Sequence, residues 1–216
     1  MNTHSENAIM IEGQIKPLSG INSNVLDALH SIDRVTYVPF KSKNSAYVEK
    51  NIPLEGGRYL PKCSISAKLI SALDVTLLET ILIIGSTTGY SAAVASKIAE
   101  TIICIEEDPE LIEFSENAVL EDSINNVVFI QNKLISGYPE QAPYTCILIE
   151  GAIEEVPNTI LDQLADNGRL VTIICENDSY SAIKYRKNNN QILSEFLFSM
   201  DAPMLLDFKK PKKFQF

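Results

Sequence analysis

The chain reads as an α/β fold: a mostly parallel sheet covered by helices on both faces, carrying a nucleotide-type crevice. Three observations predict this. Short apolar runs at Thr80–Ile84, Thr101–Ile105, Val127–Gln131, Cys146–Glu150 and Arg169–Cys175 alternate with helix-like segments, the pattern of strands buried on both sides. The run Ile81-Leu82-Ile83-Ile84 ends in a tight loop, Gly85-Ser86-Thr87-Thr88-Gly89, that opens directly into the small-residue segment after Tyr90. The following strand, Ile102-Ile103-Cys104-Ile105, ends in the carboxylate of Glu106, the position from which an acid binds ribose hydroxyls.

The elements follow in order. Residues 1–8 are expected to be a disordered N-terminus and 9–216 a single domain, with 9–78 a helical cap and substrate loop and 79–216 the core. Val25, Leu26, Leu29 and Ile32 recur at helical spacing behind Asn22 or Ser23 as N-cap. A short helix is expected around Asn44–Lys50, then a Gly56-Gly57 loop with Pro61 close behind. Ile65, Leu69, Ile70 and Leu73 define one apolar helix face. Tyr90–Ala99 reads as a helix of small residues able to pack tightly on a sheet. Pro109 stands at a favoured first helical position for the segment through Leu120. A helix over Pro157–Leu164 is closed by Asn167-Gly168. Ala182–Lys187 and Gln191–Ser199 flank Asn188-Asn189-Asn190, and asparagine tolerates the positive φ of a hairpin turn, so an antiparallel pair is expected at one sheet edge.

Composition narrows the function classes. At 216 residues with 45% hydrophobic and 21% charged residues, the chain has enough apolar material for one full core. A formal charge of −10 argues against a general nucleic-acid binder. The one basic cluster, Lys209-Lys210-Pro211-Lys212-Lys213, reads as a solvated tail. Cys63, Cys104, Cys146 and Cys175 lack metal-ligand spacing, and His4 and His30 are the only histidines, so neither a zinc site nor a histidine triad is expected. No signal peptide or membrane-spanning run is read, and a cytoplasmic monomer is the expectation.

Glycine positions separate two ligand classes for the loop. A dinucleotide loop takes glycine at its first, third and sixth positions, a methyl-donor loop at its first, third and fifth. Here these positions hold Gly85, Thr87, Gly89 (fifth) and Tyr90 (sixth), which favours S-adenosylmethionine over a dinucleotide. A nucleotide-dependent oxidoreductase is disfavoured on the same count.

Read outward from this loop, the chain resembles the protein-L-isoaspartate O-methyltransferase family. Met10–Ile15, Asn24–Leu29 with Arg34 and Tyr37-Val38-Pro39, the segment from Gly57, Gly85–Ala93, Gly137–Tyr144, Val156-Pro157 and Leu164–Val171 carry the likeness in collinear order. The resemblance implies a Rossmann-like S-adenosylmethionine-dependent methyltransferase fold with an N-terminal helical cap. It further implies methyl transfer from S-adenosylmethionine to isoaspartyl carboxylates of damaged proteins or peptides. The implied cofactor contacts are Gly85, Ser86, Thr87, Gly89, Tyr90, Glu106 and Lys133, and the implied substrate loop is Arg58-Tyr59-Leu60-Pro61-Lys62. Because a carboxylate is ionised at neutral pH, such chemistry needs positioning and water exclusion rather than a strong base.

Several positions depart from the family pattern. Pro61 holds the slot of the substrate-loop serine, so no catalytic residue of that type is intact. Ser64 and Ser66 read as helix-start residues, and Arg58 or Lys62 as candidate partners of a substrate carboxylate. Ile83 stands where the family has an acid before the first glycine, Thr87 where it has the middle glycine, Lys133 and Thr145 where it has two further acids. Two readings therefore stay open: a divergent methyltransferase whose donor contacts are rebuilt around Ser86, Thr87, Thr88 and Glu106, or a non-catalytic binding or interaction protein on the same scaffold. Glu150 is read as facing the crevice or capping the next helix.

Overall fold

The computed structural model describes residues 3–209; the basic cluster from Lys210 onward and the side chain of His4 lie outside the described residues. The chain starts with α1 (Thr3–Met10), continued by a π-helical turn over Ile11–Ile15, and α2 (Ser23–Ser31). The expectation of disorder over residues 1–8 is corrected for the helical part. Asn7 is buried and its amide donates to the carbonyls of Leu29 and Ile32 at 3.2 and 3.0 Å, fastening α1 to the end of α2. A single polar side chain satisfying two helix-end acceptors gives no periodic signal.

A two-stranded antiparallel ribbon, β1 (Ile52–Pro53) with β2 (Tyr59–Leu60), carries the loop containing Gly56-Gly57-Arg58, and α3 (Cys63–Leu73) follows. The helix expected near Asn44–Lys50 is instead a 3-10 segment at Phe40–Ser45. The core elements then run β3 (Thr80–Ile84), α4 (Tyr90–Ala95), β4 (Thr101–Glu106), α5 (Pro109–Glu121), β5 (Val127–Gln131), β6 (Tyr144–Ile153), α6 (Asn158–Leu161), β7 (Leu164–Glu176), β8 (Ser179–Asn188) and β9 (Gln191–Ser199). α6 is shorter than the expected Pro157–Leu164, because Leu164 already pairs with Tyr144 in the sheet. α5 starts as its sequence dictates: Asp108 accepts from Glu110 N at 2.9 Å with Pro109 at the first helical position.

The strand order is β5-β4-β3-β6-β7-β8-β9. Strands β3 to β7 are parallel, while β8 and β9 add antiparallel at one edge. Asn189 and Asn190 turn the hairpin with φ of 48° and 62°, as their composition suggests. Alternate residues feed the two faces: Ile81 and Ile83 join the core that includes the N-terminal helices, and Leu82 and Ile84 join the core on the opposite face. Strand order reverses at β3, whose neighbours β4 and β6 are reached in opposite directions, and ligands of such sheets bind in the crevice at that point.

Candidate functional site at the carboxyl edge of the sheet

The loop after β3 is built on backbone geometry that glycine permits. Gly85 has φ +80°, and its N–H donates to Ile105 O at 2.9 Å, which draws the loop against the end of β4. Ile84 pairs with Ile105, so the next residue along β4, Glu106, lies beside the loop. Glu106 is fully buried. Its Oε2 accepts from Thr87 N at 3.0 Å and its Oε1 from Glu107 N at 2.9 Å. Burial of an acid at a strand end is tolerated because these donors replace water.

Arg58 completes the carboxylate's coordination. Its Nη1 donates to Glu106 Oε1 at 2.6 Å and its Nη2 to Oε2 at 2.9 Å, a two-pronged ion pair across the crevice. A carboxylate offers about four lone-pair sites, and three backbone donors, Thr87 N, Glu107 N and a longer bond of 3.4 Å from Asp108 N, fill them together with the guanidinium. The space over Gly85 is filled as well. A Cβ placed there would lie 3.3 Å from Arg58 Nη2 and 3.3 Å from Leu205 Cδ1. Leu205 belongs to a strap along the end of β6, where Ala152 N donates to Pro203 O at 2.7 Å and Leu205 N to Ala152 O at 2.8 Å. The same leucine covers Gly151, where any Cβ would lie 2.7 Å from Leu205 Cγ. Beside this plug a cavity of about 330 Å³ remains, lined by Gly56, Gly57, Arg58, Glu107, Asp108, Met204, Leu206 and Asp207.

The remaining residues singled out from the sequence divide into three groups. Ser86, Thr87 and Thr88 are buried in the loop, and each hydroxyl lacks a hydrogen-bond partner. Thr87 adopts φ +50°, the left-handed region expected of the glycine it replaces. Gly89 and Tyr90 are both tightly packed in this structure. Gly89 caps α4 at φ +82° with Phe129 and Ser115 each 3.1 Å from where a Cβ would stand. The Tyr90 ring is fully buried, with the Arg34 guanidinium 4.5 Å from its centroid and its hydroxyl 3.4 Å from Cys63 Sγ. Lys133 is exposed beyond β5 and reaches no group of the crevice.

In the substrate loop Tyr59 is exposed, while Leu60 and Pro61 are buried, and the carbonyl of Pro61 accepts from Arg34 Nη2 at 2.6 Å. Lys62 pairs with Asp201 at 3.2 Å. The two nearby serines are both committed: Ser64 donates to Glu49, and Ser66 donates to Glu150 at 2.8 Å. Glu150 faces inward at the crevice end of β6 and takes a further hydrogen bond from Ser91, leaving its Oε2 unpaired. Burial pushes its carboxyl up to about 7, against the lowering effect of those two serines. Leu205 and its strap are the site residues that sequence reading missed; the one available signal is Pro203 ahead of the apolar run Met204-Leu205-Leu206.

Among the described residues no cluster of His, Cys, Asp and Glu could hold a metal ion, and no helix is long and apolar enough to cross a membrane.

The chain is similar to known proteins in both sequence and fold. The Protein-L-isoaspartate(D-aspartate) O-methyltransferase (PCMT) family profile matches residues 5–199. A protein-L-isoaspartate O-methyltransferase of Methanospirillum hungatei is 29% identical over 88% of this chain and 88% of its own. One of Pelobacter propionicus is 31% identical over 76% of this chain and 72% of its own. The fold matches a solved Plasmodium falciparum structure, titled as a protein-L-isoaspartate O-methyltransferase in complex with S-adenosyl-L-homocysteine, with a TM-score of 0.77 at 20% identity, covering 96% of this chain and 99% of that one. With sheet order, glycine loop and matched span in agreement, the chain belongs to the protein-L-isoaspartate(D-aspartate) O-methyltransferase family.

Proposed function

We propose that the protein is a protein-L-isoaspartate O-methyltransferase, taking its methyl group from S-adenosylmethionine and its acceptor carboxylate from isoaspartyl sites in damaged proteins. The observation that carries this reading is the juxtaposition of Gly85 and Glu106 at the strand-order reversal of a chain matched to the family over residues 5–199. The buried, unpartnered hydroxyls of Ser86, Thr87 and Thr88 supply polar groups around the same loop, and orphaned polar atoms of this kind call for a ligand or water.

In this conformation the chain's own side chains stand in the donor's place. Glu106 has no lone pair left for ribose hydroxyls, and the space over Gly85 belongs to Arg58 and Leu205. Donor binding on this reading requires both side chains to withdraw, and the cavity beside them already provides part of the room. On the acceptor side, Pro61 brings no hydroxyl, and the hydroxyls of Ser64 and Ser66 are held by Glu49 and Glu150. Slow turnover follows from these two facts.

Calorimetry with S-adenosylhomocysteine, together with methylation of an isoaspartyl peptide, tests the reading. Binding at micromolar ligand with slow but measurable transfer is expected. Absence of binding at millimolar ligand would transfer the case to a scaffold that binds partners without a donor.

A further inference from the structure

We propose that Arg58 is a carboxylate-exchange residue: it seals the donor site by pairing with Glu106, and on donor binding it turns to receive the carboxylate of the substrate. The inference rests on the methyltransferase reading above and adds to it the residue that selects the acceptor and the order in which ligands enter.

Three observations carry it. The first is saturation of Glu106: Oε1 accepts from Glu107 N, Asp108 N and Arg58 Nη1, and Oε2 from Thr87 N and Arg58 Nη2. A ribose diol reaches Glu106 only by taking the two places that Arg58 holds, because the backbone donors are fixed by the loop. The second is the position of Arg58 itself. It follows Gly56 and Gly57, at φ +65° and +74°, on a loop between two strands of two residues each. The backbone bonds at its tip, Leu54 N to Arg58 O at 2.9 Å and Arg58 N to Glu55 O at 3.3 Å, do not involve the guanidinium, so the side chain turns without breaking them. The third is charge. The other titratable groups lining the adjoining cavity, Glu107, Asp108 and Asp207, are all acids. Among the described residues lining that cavity, Arg58, with 14% of its side chain exposed, is the one cation, so a carboxylate entering it has no other positively charged partner there. The isoaspartyl carboxylate is the anion that the reaction brings, and a planar guanidinium binds it through the same two-pronged geometry already made with Glu106.

Donor and acceptor binding are then positively coupled, and reciprocally so. The donor removes the internal competitor for Arg58, and a bound acceptor holds Arg58 away from Glu106.

Binding measurements on the full chain decide this without relying on turnover. S-adenosylhomocysteine is titrated by calorimetry into the wild type and Arg58→Gln, and a fluorescent isoaspartyl peptide is followed by anisotropy with and without it. Arg58→Gln should bind S-adenosylhomocysteine at least tenfold tighter than the wild type, and should bind the peptide at least tenfold more weakly in its presence. The wild type should bind the peptide at least tenfold better with S-adenosylhomocysteine than without. Should Arg58→Gln fail to fold, Arg58→Lys is used and should shift both affinities in the same directions by a smaller factor. Equal affinity of wild type and variant for S-adenosylhomocysteine, or peptide binding indifferent to residue 58, would overturn the exchange while leaving the methyltransferase reading in place. No binding of S-adenosylhomocysteine by either protein would overturn both.

Discussion

At Glu106 five donors converge on one buried carboxylate, and two of them belong to a residue 48 positions earlier in the chain. Its place at the end of an apolar strand is legible from local sequence; the pairing with Arg58 is not, because no periodicity links a loop tip to a strand end. Glu106→Ala should weaken S-adenosylhomocysteine binding by at least tenfold in calorimetry, and unchanged affinity would remove Glu106 from the ribose subsite. Thr87 is legible in the opposite sense. The glycine pattern marks position 87 as one that wants no Cβ, and the structure places it at φ +50°. A β-branched residue there carries strain of about 1–2 kcal/mol, and its buried hydroxyl has no partner. Thr87→Gly should therefore raise stability by ~1 kcal/mol net of the entropy that glycine adds to the unfolded chain; a lower melting temperature would show that the threonine makes a compensating contact. Glu150 gives a pH dependence with a definite sign. Its folded carboxyl sits at about 7, above its ordinary value of 4.5, so the unfolded chain loses this proton first. Stability contributed by the protonated acid is full below about pH 4.5 and is lost as pH rises through 7, a change of roughly 3 kcal/mol at 1.36 kcal/mol per pH unit. Glu150→Gln should flatten that part of the stability profile between pH 5 and 7, and a profile with the wild-type slope would count against the assignment.

At the scale of elements, the β-α alternation, the glycine loop and the Asn-turned hairpin were all readable because each rests on a local rule: continuous apolar strands, positive φ, capping residues. The elements that escaped reading are held by long-range bonds. α1 is fastened through Asn7 to the carbonyls of Leu29 and Ile32. The strap over the crevice is held to Ala152, far away in sequence, by two backbone hydrogen bonds, one from Ala152 N to Pro203 O and one from Leu205 N to Ala152 O. Arg169 shows the same principle at a half-buried position. Its guanidinium pairs with Glu79 at 2.6 and 2.8 Å and donates to the carbonyls of Leu73 and Asp74, joining the first part of β7 to the end of α3 and the start of β3. The arginine holds the Glu79 carboxyl down at about 2, so this pair stabilises fully above about pH 4.5 and weakens as pH falls toward 2. Removing one partner of a largely buried pair costs about 3–5 kcal/mol. Arg169→Met should lower the melting temperature at pH 7 by ~10 °C, and a shift under about 2 °C would mean the staple is dispensable.

Across the whole molecule, the family resemblance and the sheet order agree on a nucleotide crevice, yet the crevice is closed by the protein's own side chains. The sequence conveyed the frame of the site, because Gly85 and Glu106 sit at fixed places relative to their strands. It did not convey the state of the site, because occupancy by Arg58 and Leu205 depends on how the cap loop and the C-terminal strap dock on that frame. The departures at Ile83, Thr87 and Pro61 acquire a physical setting in this closed form: an apolar strand end, a strained loop residue and a carbonyl clamped by Arg34. A site of this kind opens only for a ligand whose binding exceeds the cost of displacing its internal occupant.

A structure of the protein with S-adenosylhomocysteine bound addresses this directly. The account predicts both ribose hydroxyls on the Glu106 carboxylate, Leu205 withdrawn from Gly85, and the Arg58 guanidinium away from Glu106. The same ligand bound with the Arg58–Glu106 pair intact, or seated elsewhere on the molecule, would contradict it.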